Sequence, residues 1–247
     1  MIYFNPKTHT YYNDLGTYTS VTTKLKSLDS SDWDEIKKNY ANKNNLTIEQ
    51  VTELWNNQAI NGTKVHALKE SYDTGESYES ILNRDTNSND ILKSENLKDT
   101  ILIGKYPELI VYSNKYKIAG KIDLPIFNED KSFIIKDYKT DKIINFEPTA
   151  YYNKKTNKKE IKYFKSPINY IPNTNWNKYQ LQISIYAAIL ENYGYVFKGG
   201  YINHITVARD RNGNYILEDD KPIIISEQEY EIKYLKDEAI KILELNK

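Results

Sequence analysis

Residues 117–142 read KIAGKIDLPIFNEDKSFIIKDYKTDK, and this stretch carries the strongest prediction about the fold. Two apolar runs flank the polar, turn-forming residues 128–131, a pattern typical of two β-strands joined by a turn. Charged side chains interrupt both runs, with Asp123 in the first and Asp137 and Lys139 in the second. The stretch therefore predicts a strand pair that carries three charges on otherwise apolar surface.

Asp137 and Lys139 are two residues apart on the second strand, so both side chains are expected on the same face of the sheet. An antiparallel neighbour can bring Asp123 close to that face. Such charges are unfavourable near buried strand surface unless they pair or hold a cation. The three residues suit metal-dependent phosphodiester hydrolysis, in which carboxylates hold Mg²⁺ or Mn²⁺ and the lysine orients or deprotonates water. A surface ladder of salt bridges is the alternative interpretation.

The composition is that of an ordinary soluble globular chain, with 39% hydrophobic and 28% charged residues among 247. Lys plus Arg and Asp plus Glu both number 34, so the net charge indicates no partner. The absence of cysteine excludes disulfides, thiolate-bound zinc and iron–sulfur clusters held by cysteine. No apolar run approaches the ~20 residues of a membrane span, and residues 1–12 lack the form of a signal peptide. No membrane contact and a cytoplasmic location are expected.

Hydrophobic periodicity and capping signals predict an α+β or mixed α/β chain that forms a single domain over residues 1–247. Its expected parts are a mainly helical segment 1–107, a catalytic sheet 108–225 and a C-terminal helix 226–247. The predicted helices are 20–28, 32–42, 48–72, 78–83, 90–104, 175–193 and 226–245. The predicted strands are 1–4, 10–13, 108–113, 116–127, 133–140, 201–209, 215–217 and 222–225.

Two predicted helices carry further candidate residues. In the helix at 48–72, Gly62 permits close backbone approach, and the imidazole of His66 is a common ligand for transition metals. A lone histidine is also compatible with a purely structural or solvent-exposed role. In the helix at 175–193, Gln182 and Tyr186 are four residues apart and share one face. They suit contacts to a phosphate, a base or the attacking water, although a glutamine beside aliphatic residues is commonly a boundary residue.

Residues 151–179 differ in composition, with seven Lys against one Glu and seven aromatic residues interleaved. A long loop or mobile insertion is expected there, outside the core. Its lysines fit single-stranded nucleic acid, since lysines can follow phosphates while rings stack on bases, and a flexible solvated loop is the alternative. The candidate lysines are Lys154, Lys155, Lys158 and Lys159. The 23 tyrosines of the chain fit either base stacking or an AT-rich coding sequence.

Four motifs occur in the order that is found in a known group of nucleases. They are GTKVH at 62–66, Glu108 ahead of GKID at 120–123, IIKDYKT at 134–140 and QISIY at 182–186. By these motifs the chain resembles the PD-(D/E)XK nucleases, and within them the RecB-like branch with its G-x-x-x-H and Q-x-x-x-Y motifs. That branch includes mitochondrial genome maintenance exonuclease, lambda-type exonucleases and many phage proteins.

The resemblance implies a restriction-endonuclease-like core, in which helices flank a central mixed sheet, and a Mg²⁺ or Mn²⁺ cofactor without an iron–sulfur cluster. The implied metal ligands are His66, Asp123, Asp137 and the backbone carbonyl of Tyr138. Glu108 matches a further acidic position, with an ordinary strand-start residue as the alternative. The implied catalytic residues are Lys139, Asp137 and Asp123. Gln182 and Tyr186 are implied contacts to DNA near the scissile phosphate.

The function that the resemblance implies is a metal-dependent, phage-encoded DNA exonuclease in recombination, replication or DNA-end processing, located in the host cytoplasm. Its expected partners are DNA with a single-stranded segment or free end, and phage recombination or replication proteins. A structure-specific or defence-related endonuclease of the same superfamily is one alternative. A non-catalytic DNA-binding module on a nuclease scaffold is another. The residues leave open the polarity, the strand preference, the choice between DNA and RNA and the oligomeric state.

Overall fold

The structure is a computed structural model that describes residues 1–5, 8–87, 92–93, 97, 101–153 and 156–245. Within these residues the chain combines six helices with mixed β-sheets, which confirms the predicted α+β class. The helices are α1 (Val21–Leu28), α2 (Trp33–Asn44), α3 (Ile48–Thr74), α4 (Tyr78–Asn87), α5 (Asn175–Glu191) and α6 (Lys236–Glu244). In the part of the chain that is described, every helix is too short or too polar to cross a membrane.

The strands are numbered in chain order. They are β1 (Tyr3–Asn5), β2 (Thr10–Asn13), β3 (Gly16–Ser20), β4 (Leu92–Lys93), β5 (Gly104–Lys105), β6 (Leu109–Ser113), β7 (Ile118–Ile122), β8 (Leu124–Phe127), β9 (Ser132–Lys139), β10 (Tyr151–Asn153), β11 (Lys158–Glu160), β12 (Val196–Val207), β13 (Leu217–Glu218), β14 (Lys221–Pro222) and β15 (Ile224–Glu231).

The strands form two larger sheets and two short hairpins. One sheet has the order β4-β1-β2-β3-β7-β6 and the other has the order β15-β12-β9-β8-β5, while β10 pairs with β11 and β13 with β14. Both larger sheets are mixed, because β3 runs parallel to β7 and β9 runs parallel to β12, whereas their other neighbours are antiparallel.

The predicted strand 116–127 is interrupted at Asp123, which separates β7 in the first sheet from β8 in the second. The carbonyl of Asp123 accepts a hydrogen bond from the Glu108 backbone N–H at 2.9 Å, and its carboxylate accepts one from the Tyr138 backbone N–H at 2.7 Å. Through these two hydrogen bonds Asp123 contacts the residue before β6 of the first sheet and β9 of the second sheet. The interruption is a correction to the predicted continuous strand, and it arises from pairing between distant segments.

Helix starts follow the capping signals in the sequence. The hydroxyl of Ser20 accepts from the Thr23 backbone N–H at 3.0 Å ahead of α1. Ahead of α3, the Thr47 N–H donates to the Gln50 side chain at 2.8 Å, and the Gln50 N–H donates to the Thr47 hydroxyl at 3.2 Å. These capping contacts satisfy N–H groups that have no partner within the helix. They confirm the predicted starts of both helices.

Helix α5 lies at the centre of the largest hydrophobic cluster and contacts β9 and β12 of one sheet and β6 of the other. Its residues 180–190 are buried except for Gln182, which is partly exposed. A helix that is apolar on almost every side belongs in a core. The predicted helix at this position is confirmed, and it is buried on almost every side rather than on one face.

The expected C-terminal helix 226–247 begins much later than predicted. Residues 224–231 form β15, an edge strand that pairs antiparallel with β12, and α6 starts at Lys236. The run of Ser, Glu and Gln favours a helix locally, but hydrogen bonds to the edge of β12 outweigh that preference. Tertiary pairing decides the structure here.

Residues 151–179 are also more ordered than predicted. Residues 151–153 pair antiparallel with residues 158–160 as β10 and β11, and the side chains of Phe164, Ile168 and Ile171 belong to the main hydrophobic core. The expectation of a loop outside the core is therefore wrong for the second half of this segment. Phe164, Ile168 and Ile171 occupy buried positions that their sparse spacing did not indicate.

The mainly helical segment 1–107 also contains strands. The predicted strands near residues 1–4 and 10–13 are confirmed as β1 and β2, and β3 adds a strand that was not predicted. The predicted helix at 90–104 lies largely outside the described residues. At its described end, residues 101–103 are not helical and residues 104–105 form β5.

Candidate active site

The candidate residues come from separate elements and meet where the two larger sheets join. His66 lies on α3, Glu108 directly before β6, Asp123 between β7 and β8, and Asp137 and Lys139 on β9. Most of them line a cavity of about 440 Å³. The predicted site residues that line it are His66, Glu108, Asp123, Lys139, Gln182 and Tyr186. Residues that are far apart in sequence are therefore brought to one place.

Three side chains place potential metal-ligand atoms close together. One ligand atom from each of His66, Glu108 and Asp123 lies within 4.8 Å of the other two. The His66 Nδ1 is 3.6 Å from an Asp123 oxygen and 4.0 Å from a Glu108 oxygen. One nitrogen and two carboxylates are a donor set that suits a divalent cation.

Asp137 and Lys139 project from the same face of β9, as their spacing predicts. Their side chains form an ion pair, and Asp137 is only 1% exposed. The Gln182 side-chain amide donates a hydrogen bond to the other Asp137 oxygen at 3.3 Å. Asp137 is not part of the mutually close group of His66, Glu108 and Asp123, and its role as a ligand stays a prediction.

The ionisation of the cluster reflects burial and mutual repulsion. Burial raises the pKa of Asp123 to about 6, and the negative charges of Asp137 and Glu108 add to this effect. Burial would also raise the pKa of Glu108, but the charges of Lys121 and His66 lower it to about 2. Carboxylates that repel one another in a buried site favour binding of a cation.

The two cationic side chains, His66 and Lys139, have pKa values that the nearby carboxylates raise. Burial alone would lower the pKa of His66, but the carboxylates of Asp123 and Glu108 raise it to about 9. Burial also opposes the charge of Lys139, and the carboxylates of Asp137 and Asp123 overcome this and raise its pKa. Without a bound cation, both side chains therefore carry a proton at neutral pH and offset the carboxylate charge.

Tyr186 packs α5 onto the first sheet. A methyl group added to Gly120 would lie 2.6 Å from a ring carbon of Tyr186 and 2.9 Å from its hydroxyl, so the ring rests directly on the backbone of β7. The side chain is 2% exposed, although it contributes to the cavity wall. This explains why glycine stands at position 120. The contact of Tyr186 with DNA stays a prediction.

Gly62 has ordinary space around its backbone. A methyl group added to it would meet its nearest neighbour, the Thr140 hydroxyl oxygen, at the ordinary distance of 3.5 Å. The residue lies inside α3 and lines the cavity together with His66. No protein atom approaches Gly62 closely in the described part of the chain, and a close approach by a ligand in the cavity stays a prediction.

Tyr138 connects β9 to α3 on the far side of the ligand group. Its ring stands edge-on to the His66 imidazole at 6.0 Å between centroids, and its hydroxyl donates to Asp73 at 2.8 Å. Asp73 lies two turns after His66 on the same helix face, so Tyr138 limits the movement of the imidazole. The predicted ligand, its backbone carbonyl, stays a prediction.

Three residues of the site were not singled out from the sequence. Lys121 pairs with Glu108, and Lys121 and His9 both line the cavity. The Lys139 ammonium lies 5.0 Å from the centroid of the Tyr179 ring. The spacing of Lys121 to Asp123 on a strand, and of Tyr179 to Gln182 on a helix, is a signal that could have found two of them. The sequence carries no signal for His9, which arrives through the N-terminal hairpin.

The lysines of the insert do not belong to this cavity as far as the structure describes them. Lys158 and Lys159 are exposed on β11 and are not among the residues that line it. Lys154 and Lys155 lie outside the described residues. A role for these four lysines in binding nucleic acid stays a prediction.

Comparisons with known proteins add little to this geometry. No protein-family model matches the chain, and the comparison with curated proteins gives no match. Among solved structures, the chain is similar to the crystal structure of SSO0001, with 16% identity, a TM-score of 0.32, and coverage of 92% of this chain and 72% of that chain. At this TM-score the similarity supports no conclusion about fold or function.

Proposed function

We propose that the chain is a metal-dependent deoxyribonuclease of the PD-(D/E)XK type that hydrolyses phosphodiester bonds. The observation that carries the proposal is the convergence of His66, Glu108 and Asp123 within 4.8 Å, beside the Asp137–Lys139 ion pair. Resemblance to RecB-like nucleases in the order of the four sequence motifs supports the same activity independently. The resemblance also supports DNA as the polymer, cleavage from an end, and a phage role in recombination, replication or end processing.

The donor set fits Mg²⁺ or Mn²⁺. Two partly buried carboxylates, Glu108 and Asp123, stand beside one imidazole, and Asp137 is close enough to Asp123 to raise the pKa of that residue. His66, Glu108 and Asp123 would hold the cation, with Asp137 as a further candidate. When bound, the cation neutralises phosphate charge and lowers the pKa of water.

The other side chains of the site, Lys139, Gln182 and Tyr186, would orient the substrate or the carboxylates and offset negative charge. The carboxylates of Asp137 and Asp123 raise the pKa of Lys139, so this side chain keeps its proton and suits donation to a phosphate oxygen on which charge develops. Gln182 holds Asp137 through its amide and limits rotation of that carboxylate. Tyr186 contributes to the cavity wall, and a contact of its hydroxyl with a phosphate oxygen is part of the proposal. Deprotonation of the attacking water by Lys139 stays the alternative role, because a bound cation would weaken the carboxylate charges that raise its pKa.

A digestion experiment with the variant Asp137→Asn tests the proposal. The substitution keeps the shape of the side chain and removes its charge, so hydrolysis in Mg²⁺ or Mn²⁺ is expected to fall to the background seen with EDTA. Glu229→Gln is the matched control, because Glu229 is an exposed carboxylate that pairs with Lys136 at 2.6 Å. Undiminished digestion by Asp137→Asn would overturn the proposed activity.

The form of the DNA decides between cleavage from an end and internal cleavage. End-labelled linear DNA and covalently closed circular DNA, each single- and double-stranded, are incubated with the wild-type chain. An exonuclease leaves circular DNA intact and shortens linear DNA. Nicking of the closed circle would show the endonuclease instead, and binding without any cleavage in either metal would show a non-catalytic DNA-binding module.

A further inference from the structure

A second groove opens next to the candidate active site and has a different character. It has a volume of about 600 Å³ and is lined by aromatic, aliphatic and lysine side chains from α1, α2, α3 and α5. Gln182 and Thr22 line both this groove and the cavity of the candidate active site, so the two are continuous. Tyr179, whose ring contacts Lys139, is also part of its wall. A ligand held at the active site can therefore extend into the groove without leaving the surface.

Trp33 and Trp55 both line the groove, and Tyr40 packs against Trp55 from outside the lining. The ring centroids of Trp33 and Trp55 are 6.4 Å apart at an interplanar angle of 88°, and Tyr40 lies 6.1 Å from Trp55. Trp33 is 53% exposed, which is unusual for so large an apolar side chain. Its indole N–H donates to the buried Asp29 carboxylate at 3.3 Å. The exposed ring is thus held in one orientation before any ligand binds.

Lysines stand over these rings. The Lys37 ammonium lies 5.6 Å from the Trp55 centroid, and the Lys178 ammonium lies 5.4 Å from the Trp33 centroid. Lys178 is also paired with Asp29 at 2.6 Å. Within the described residues Lys26 and Lys37 form no ion pair, and both line the groove, together with one further carboxylate, Asp34. A groove that combines aromatic rings with lysine cations matches a ligand that alternates flat apolar groups with negative charges.

We propose that the groove lined by Trp33, Trp55, Lys37 and Lys178 binds single-stranded DNA next to the phosphate held in the candidate active site, with unpaired bases stacked on the tryptophan rings. This inference rests on the proposed nuclease function and adds a binding site to it. Every base has a face that can stack on an aromatic ring, and lysines follow the phosphates, so such a site is tolerant of sequence. Paired bases in a duplex do not offer their faces to the rings.

Binding in EDTA tests the groove separately from cleavage. Fluorescence anisotropy follows a labelled oligothymidylate of about 12 nucleotides, a length within the usual range for single-strand sites. Trp33→Ala is expected to weaken binding about tenfold, and Trp33→Phe is expected to restore most of the affinity because it keeps a ring. Tyr72→Ala is the matched control: Tyr72 is 70% exposed, has Lys69 at 5.9 Å from its ring and lies outside the groove. The control is expected to bind as the wild type does.

Removal of single bases from the oligonucleotide shows whether stacking is the cause. In the wild-type chain, an abasic site at the stacked position is expected to weaken binding, and in Trp33→Ala the same abasic site is expected to have no further effect. An affinity of Trp33→Ala within twofold of the wild type would overturn the proposed groove, as would an equal loss of affinity for blunt duplex DNA. Because no metal is present, either result is independent of whether the chain hydrolyses DNA.

Discussion

His66 has the most unusual protonation among the candidate ligands. Its pKa of about 9 in the folded chain exceeds the ordinary histidine value of 6.5, because Asp123 and Glu108 stabilise the imidazolium against the effect of burial. A group whose pKa is raised by folding stabilises the folded chain fully below its unfolded pKa, and this contribution is lost as the pH rises through the folded pKa. The contribution of His66 to stability is therefore lost over the pH range between its unfolded and folded pKa values. The pKa of Asp123 is raised to about 6, so its titration affects stability only at pH values below this range.

The free energy of unfolding of the metal-free chain is therefore expected to fall between pH 6.5 and about 9, by up to about 3 kcal/mol. His66→Gln has no titrating ring and is expected to lose this slope. Urea denaturation in EDTA at a series of pH values measures both chains. His9→Gln serves as the control, since burial and nearby lysines lower the pKa of His9, so its effect lies below this pH range. A slope that persists in His66→Gln would show that another group is responsible.

Glu108 gives a second prediction at the scale of a single residue. The sequence left it between a ligand and an ordinary strand-start residue, and the structure places its carboxylate with His66 and Asp123. Glu108→Gln is expected to weaken Mn²⁺ binding at least about tenfold, because one anionic oxygen is replaced by a neutral one. Isothermal titration calorimetry measures this affinity, with Glu229→Gln as the exposed control. Equal affinities would remove Glu108 from the ligand set.

At the scale of elements, two glycines predict opposite effects of an added methyl group. Gly120→Ala is expected to destabilise the fold by about 1–3 kcal/mol, since the methyl group would force the Tyr186 ring away from β7. Gly62→Ala is expected to stabilise the chain by up to about 1 kcal/mol, since it lies in α3 with ordinary space around it. Midpoints of urea denaturation report both values. A neutral Gly120→Ala would mean that α5 is not tightly packed on β7.

Elements decided by local chemistry were predictable, whereas those decided by distant pairing were not. The capping residues Ser20 and Thr47 predict the starts of α1 and α3, and the high proportion of apolar residues at 181–190 predicts α5. The interruption at Asp123 depends on hydrogen bonds to residues 108 and 138, which no local pattern contains. The strand β15 depends in the same way on the edge of β12.

In the candidate site, too, the features set by local spacing were predictable, and those set by distant contacts were not. The spacing of Asp137 and Lys139 predicts their shared face, because a strand alternates its side chains. The ordered motifs brought His66 and Gln182 into the same hypothesis, and both line the cavity. The direction in which Asp137 points is set by Gln182 from another element, and the pairing of Lys121 with Glu108 joins two strands. Such orientations depend on packing, which sequence spacing does not contain.

At the scale of the whole molecule, the two larger sheets share one hydrophobic core. The main cluster includes Val111 and Ile118 from the first sheet, Ile135 and Ile202 from the second, and Ile185 of α5 between them. One sheet therefore cannot unfold without exposing apolar surface of the other. Thermal unfolding is expected to be a single transition in which the calorimetric and van't Hoff enthalpies agree. Two separated transitions in differential scanning calorimetry would show that the sheets unfold independently.

The single-residue junction at Asp123 has a consequence for the chain during its synthesis. The ligand group draws on residues 66, 108 and 123, and Asp123 reaches its place only when β8 has paired with β9 and the Tyr138 N–H holds its carboxylate. A ribosome-bound chain that ends before β9 contains His66, Glu108 and Asp123, but it lacks the strand and the Tyr138 N–H that hold the Asp123 carboxylate in place. If the proposed activity is correct, the nascent enzyme is harmless to nearby DNA until most of its length has emerged and folded.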